Sequence, residues 1–228
     1  MSADPRGAAA TAAVDAPSAA PEPRMRWWGW GVDRDAMQLP ESAQAQIEGG
    51  LGVKGAPAPR VDLAAIQLHE PRLDPDLRAR LERISGADGV RDDRLARVSH
   101  SAGRSYPDLV RLRAGSISPP DVVVYPAGHE QVRAVIEACA ESGAAVVPFG
   151  GGTSVVGGVE PESGGFGSVV SLDLARMSSL LDVDQVSLTA RMEPGMTGPE
   201  AEAALGAHGL TLGHLPQSWE YATIGGFA

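Results

Sequence analysis

Val146-Val147-Pro148-Phe149-Gly150-Gly151-Gly152-Thr153-Ser154-Val155-Val156-Gly157-Gly158 runs from β-branched residues into glycines and a hydroxyl pair. Glycine admits positive φ and lets a ligand come close to main-chain N–H groups, while Thr153 and Ser154 add hydroxyl donors. Such a loop suits a diphosphate. Two familiar glycine loops fail on spacing. A Walker loop ends in Gly-Lys-Ser/Thr, and no lysine lies near. A dinucleotide fingerprint needs a third glycine where Val155 stands, and Val-Val-Gly-Gly opens no good helix. On the loop alone, an anion cradle and a plain glycine-rich turn both remain open.

The flanks add a β-α-β unit. Asp121 to Pro126 reads as a short buried strand. Gly128 opens a helix with Val132, Val135, Ile136, Cys139 and Ala140 on one face, and Ser142-Gly143 stops it. The strand Ala144 to Pro148 then feeds the loop. Downstream, Ser168 to Leu174 and Gln185 to Arg191 read as strands, with a turn at Asp182 to Asp184. Thr197-Gly198-Pro199-Glu200 places a hydroxyl cap, a first-turn proline and a glutamate three residues on, so a helix runs to Ala207. Gly209 to Gly213 is expected to return as a short strand. Asp62 to Ser85 reads as mainly helical, capped by Asp74, with Pro75 in the first turn and Leu77, Leu81 and Ile84 on one face.

This order, together with Pro148 to Ser154, Ser171-Leu172-Asp173, Glu193-Pro194-Gly195 and Pro216 to Gly226, resembles the PCMH-type FAD-binding domain of the vanillyl-alcohol oxidase flavoprotein superfamily. Within it, Arg26-Trp27-Trp28-Gly29-Trp30-Gly31, His100-Ser101-Ala102-Gly103-Arg104 and the Pro216 to Gly226 block are most similar to the alkylglycerone-phosphate (alkyldihydroxyacetonephosphate) synthase family. The resemblance covers about residues 25 to 228, a span judged against typical domain sizes. It implies an α+β fold, an FAD-binding domain of two α/β subdomains, incomplete at its C-terminus. The expected layout is a disordered Ala/Pro-rich tail at 1–24, a helical and aromatic extension at 25–115 and the FAD domain at 116–228.

The resemblance also implies a set of FAD contacts: Pro148, Phe149, Gly150, Gly151, Gly152, Thr153 and Ser154 from the first block, and Pro216, Gln217, Ser218, Ala222, Thr223, Gly225 and Gly226 from the second. The family often has Asp where Gln217 stands and Ser where Ala222 stands, which puts those two hydrogen bonds in doubt. Some relatives attach the flavin covalently through a histidine at the position of Thr153. A hydroxyl makes no such bond, so FAD is expected to be non-covalent. His129 reads as a surface or capping residue and His214 as a partly buried, hydrogen-bonded one.

The implied activity is exchange of the acyl group of acyl-dihydroxyacetone phosphate for a fatty alcohol, a step of ether lipid synthesis with no net redox change. An FAD-linked oxidoreductase of the D-lactate or glycolate type is the alternative. Residues matching the catalytic ones would lie beyond Ala228, so the sequence reads as an N-terminal fragment, inactive alone, with unpaired strand edges that favour instability.

Composition narrows the partners. The 228 residues carry a net charge of −10 and one lysine, Lys54, which argues against nucleic-acid binding. The single cysteine, Cys139, excludes an internal disulfide and a cysteine-based metal site, and sits on an apolar helix face. No run approaches the ~18 apolar residues that span a bilayer, and none supplies the hydrophobic stretch of about 7–15 of a signal peptide. A cytoplasmic protein acting on a small-molecule or lipid substrate is expected, with a homodimer admitted. Trp27, Trp28 and Trp30 read as an aromatic plug. Arg104, Arg111 and Arg113 could meet a substrate phosphate but read more simply as solvated arginines.

Overall fold

The computed structural model describes residues 20–36, 40–52 and 59–228. Most of the Ala/Pro-rich tail therefore lies outside the described residues. Residues 20–24 run against the body: Ala20 packs near Val123 and Tyr125, and Arg24 donates to the carbonyl of Gly195 at 3.2 Å.

The centre is a four-stranded sheet in the order β1 (Val90–Arg91), β2 (Val122–Val124), β4 (Ser168–Asp173), β3 (Ala144–Phe149). β2, β4 and β3 are parallel and β1 is antiparallel to β2. Parallel strands covered on both sides are apolar throughout, which is why Val122-Val123-Val124 shows no alternation with polar residues. The pleat still sorts the run by face. Val122, Val124, Val170 and Leu172 join the core with helices α2 (Pro75–Ser85) and α5 (His129–Ser142), whereas Val123 and Tyr125 meet Ala96 of α3 (Arg94–Ser99).

Helix ends follow the capping signals. Asp74 accepts from the amides of Asp76 and Leu77, and Gly143 closes α5 in the left-handed conformation. In α6 (Gly198–Gly206) the Glu200 carboxylate takes the Thr197 amide at 2.7 Å. Helix α4 (Tyr106–Ala114) carries a capping box between Ser105 and Asp108. Helix α1 (Glu41–Leu51) buries none of its residues.

Three expectations are corrected. Helix covers only the second half of 62–85: Leu63–Ala65 forms one 3-10 turn, and the chain is extended before Pro75. The reason is local, since a residue preceding proline is pushed out of the helical region and Pro71 follows Glu70. The strand expected at 185–191 is instead the far side of a hairpin, β5 (Leu180–Asp184) and β6 (Thr189–Met192). Asp184 accepts from the amides of Val186 and Ser187, which makes 185–188 the turn, with Leu188 at φ +53. No strand forms at 209–213, because Glu202 takes the amides of Leu212 and Gly213 and the hydroxyl of Thr211.

Cys139 is fully buried on the α5 core face, and burial lifts its thiol to about 11. The folded thiol keeps its proton where the unfolded one, near ~8.5, has begun to lose it. Stability linked to this group is therefore lost as pH rises from that value toward the folded one. The native chain should resist iodoacetamide at pH 8.5 and react roughly a hundredfold faster once unfolded in urea. Equal rates in the two states would show that α5 does not pack as described.

Candidate functional site

The loop after β3 and the segment before helix α7 (Ile224–Phe227) come together face to face. The glycine backbones lie against their neighbours so closely that no side chain fits between, which explains the glycines. A Cβ on Gly151 would overlap the carbonyl of Tyr221, and one on Gly150 would overlap the Thr223 hydroxyl. Gly152 has φ +67 and lies over the Phe149 ring, with a Cβ position 2.7 Å from Cζ. A Cβ on Gly225 would sit 2.5 Å from that of Pro194. The second block is pinned by the Gly225 amide donating to Pro194 and the Ile224 amide donating to Met196.

Between the blocks lies a cleft of about 450 Å3. It brings together Pro148 through Ser154 with Pro216, Gln217, Ala222, Thr223, Gly225 and Gly226. Ser218 is the exception. It sits at φ +61 in the turn that Tyr221 and Ala222 close by donating to its carbonyl, and it borders a separate cavity with Arg26, Trp30 and Tyr221. Leu174 and Pro194 line the cleft and were missing from the expected contacts, although the Glu193-Pro194-Gly195 motif pointed at the second.

The donor set fits a diphosphate. Among the described residues, the amides of Gly151, Gly152 and Thr153 donate to no acceptor, and unpaired amides of a folded chain seek a partner. No charged side chain lines the cleft, in a chain of net charge −10. An anion there meets N–H dipoles and hydroxyls without a carboxylate to repel it. Pro148 to Ser154 would hold the diphosphate, with Thr223 and the glycines of the second block opposite. Ala222 contributes main chain only, its carbonyl accepting from Gly198.

Residues 120–228 match the family described as FAD binding domain. It is this part of the chain that carries the domain. FAD is accordingly the cofactor of the domain. The alkyldihydroxyacetonephosphate synthase of Dictyostelium discoideum is 32% identical over 231 residues, which take in 90% of this chain and 38% of that protein. A solved structure of an alkyldihydroxyacetonephosphate synthase superposes with a TM-score of 0.81 at 33% identity, over 90% of this chain and 42% of that one. Glycolate oxidase subunit GlcD of Bacillus subtilis is 28% identical over 66% of this chain and 30% of its own. The chain thus spans about two fifths of the length of the synthases it matches.

The extension ahead of the FAD domain is packed onto the loop. Gly103 fits against the carbonyl of Ser154, where a Cβ would overlap, and the Arg104 amide donates to that carbonyl at 2.7 Å. Arg104 is buried, not solvated. Its guanidinium donates to the carbonyls of Ala102, Gly103 and Arg26, and burial pulls its pKa down to about 10. Arg111 bridges Asp108 and Glu160, and the Glu160 hydrogen bond first of all raises its pKa. Arg113 lies over the Trp28 ring, joined there by Arg26 and Arg60. The expectation of solvated arginines therefore fails for Arg104, which is buried, and for Arg113, which is half-buried over Trp28, whereas Arg111 is exposed and its ion pairs lie at the surface.

Of the tryptophans, Trp27 enters a core with Ile66, Val98, Ala102 and Leu112, Trp28 packs at its edge and Trp30 is exposed. His129 is exposed at the first turn of α5. His214 is exposed as well, its ring 5.6 Å from that of Phe227, which corrects the expectation of partial burial. His100 belongs to the His100 to Arg104 motif, where no role was expected of it. It is 3% exposed beneath the loop.

Proposed function

We propose that the chain is the FAD-binding portion of an enzyme of the alkylglycerone-phosphate synthase type, exchanging the acyl group of acyl-dihydroxyacetone phosphate for a fatty alcohol. One observation carries this reading above the oxidoreductase alternative: similarity to the synthases extends over 90% of the chain, against 66% for the glycolate oxidase subunit. The aromatic and arginine-rich extension is thus shared with the synthases, and here it grips the cofactor loop.

FAD supplies the flavin on which such chemistry depends. The residues of this chain bind and orient it. Open amides at Gly151 to Thr153 receive the diphosphate, the close contact of Gly150 and Gly151 with residues 221–223 fixes where those amides sit, and Phe149 supports the loop from below. The attachment is non-covalent, since Thr153 stands at the linkage position and a threonine hydroxyl forms no flavin bond. Among the described residues no helix is long and apolar enough to cross a membrane. A cytoplasmic setting accords with the lone buried thiol.

The test is a visible absorption spectrum of the chain loaded with FAD, before and after acid precipitation. Flavin bands that move wholly into the supernatant are expected. Colour retained in the pellet would overturn the non-covalent reading, and a folded chain that takes up no added FAD would overturn the cofactor site. Supplied with acyl-dihydroxyacetone phosphate and a labelled fatty alcohol, an FAD-loaded enzyme of the synthases' full length that carries these residues should form the ether product. Flavin reduction by D-lactate or glycolate without that product would favour the oxidoreductase.

A further inference from the structure

A column of side chains stands beneath the glycine loop. Gly152 rests on the Phe149 ring, and that ring packs on the His100 imidazole with centroids 4.1 Å apart. His100 in turn is bonded on both sides, Nδ1 to the Ala96 carbonyl at 2.7 Å and Nε2 to Asp173 Oδ2 at 2.9 Å. A carbonyl only accepts, so Nδ1 carries a hydrogen. Nε2 and Oδ2 then share a second one, because a lone pair facing a carboxylate would repel it. The remaining Asp173 oxygen accepts from the Ala175 amide at 2.8 Å. Histidine and aspartate are 3% and 6% exposed, where such a bond is strong and its loss costly.

The pair links three elements. His100 follows α3, Asp173 ends β4 and Phe149 ends β3, and the Leu174 amide donates to the Phe149 carbonyl at 3.0 Å. Glu22, Arg24, Arg104 and Tyr125 border the same small cavity of about 40 Å3, so the other ionisable groups facing it are of both signs. Neither His100 nor Asp173 lines the diphosphate cleft.

We propose that His100 and Asp173 are positioning residues for FAD: acting through Phe149, the hydrogen-bonded pair sets where the amides of Gly150 to Thr153 meet the diphosphate. The inference rests on the reading of the cleft as the diphosphate site. Its consequence is that a residue of the extension, His100, which lines no part of the cleft, controls cofactor affinity.

The experiment titrates FAD into the 228-residue chain by flavin fluorescence, for the unaltered protein, His100→Leu, His100→Gln and Asp173→Asn. Leucine keeps apolar contact with Phe149 but loses both bonds; glutamine can still donate to Asp173. His100→Leu and Asp173→Asn should weaken binding about tenfold, the scale of one buried hydrogen bond, and His100→Gln should recover most of it. A folded His100→Leu chain that binds FAD as the unaltered one does overturns the proposal. Should His100→Leu fail to fold, the unaltered chain decides: its shared imidazole proton is expected as a downfield NMR resonance that shifts on FAD addition, and a resonance that stays put overturns the proposal. An unaltered, folded chain that binds no FAD overturns the reading of the cleft, and the proposal with it.

Discussion

Gly151→Ala is expected to abolish measurable FAD binding and to destabilise the chain. The added Cβ would overlap the Tyr221 carbonyl, and neither partner can yield cheaply. Tyr221 and Ala222 both donate to the Ser218 carbonyl, while Ala222 also accepts from Gly198. The far side of the second block is held by Gly225 and Ile224 bonding to Pro194 and Met196. Relief must come from separating the two glycine blocks, which displaces the open amides from the diphosphate. Overpacking a tight site costs about 1–3 kcal/mol, and here the movement falls on the binding groups themselves. Fluorescence titration with FAD and urea denaturation check both effects. Gly158→Ala is the matched control in the same cleft, since its Cβ would lie 3.5 Å from Ser154 Oγ, an ordinary contact. Should Gly151→Ala bind FAD as Gly158→Ala does, the close approach of the blocks is not what shapes the site.

Asp121→Ala should be the most destabilising single change away from the cleft. The carboxylate is completely buried and starts the β2–β4 pairing: Oδ2 accepts the Val169 amide at 2.7 Å, and the Asp121 amide donates back to the Val169 carbonyl at 2.9 Å. Oδ1 takes the Arg72 amide at 2.9 Å. Arg97, also buried, has its Nε on the Pro120 carbonyl, and Asp121 is the foremost charge holding its pKa up against the burial that lowers it. Removing Asp121 strands the Val169 and Arg72 amides and takes from Arg97 the foremost of the charges that offset its burial. Each buried donor left unsatisfied costs about 1–3 kcal/mol, and two together are a large part of the ~5–15 kcal/mol that hold a domain together. The midpoint of thermal unfolding should fall by roughly 6–20 °C. Asp121→Asn should lie between, because its amide nitrogen confronts the Val169 N–H or leaves Arg72 unmet. A loss under about 1 kcal/mol for Asp121→Ala would show that the carboxylate is not the anchor of these strands.

Much of the site was legible because it is made of main chain. Glycines at Gly150, Gly151, Gly152 and Gly225 admit close approach, and the flanking β-α-β unit and second block weighed against a plain turn. The β-α-β unit was equally legible: a three-valine strand, an amphipathic helix stopped by Gly143 and a second strand leave few alternatives. Where reading failed, a short polar group had captured the backbone. Asp184 turned a strand into a hairpin, Glu202 unmade another, and Pro71 shortened a helix. Alternating apolar residues such as Val186 and Leu188 look like a strand, yet Val186 is 95% exposed because the turn belongs to Asp184.

The sequence by itself determined the resemblance to an FAD-binding domain and where the glycines cluster, since both depend on residue types and their spacing along the chain. Only the tertiary structure decided what the side chains of the extension do. Arg104 looks like a surface charge and is buried among carbonyls; Ser218 belongs to the right motif and faces another cavity; His100 and Asp173 lie 73 positions apart and meet in a hydrogen bond of 2.9 Å. Pairings of that kind have no local signature, because burial and long-range approach, set by the packing of α3 against the sheet, create the environment that gives each group its role.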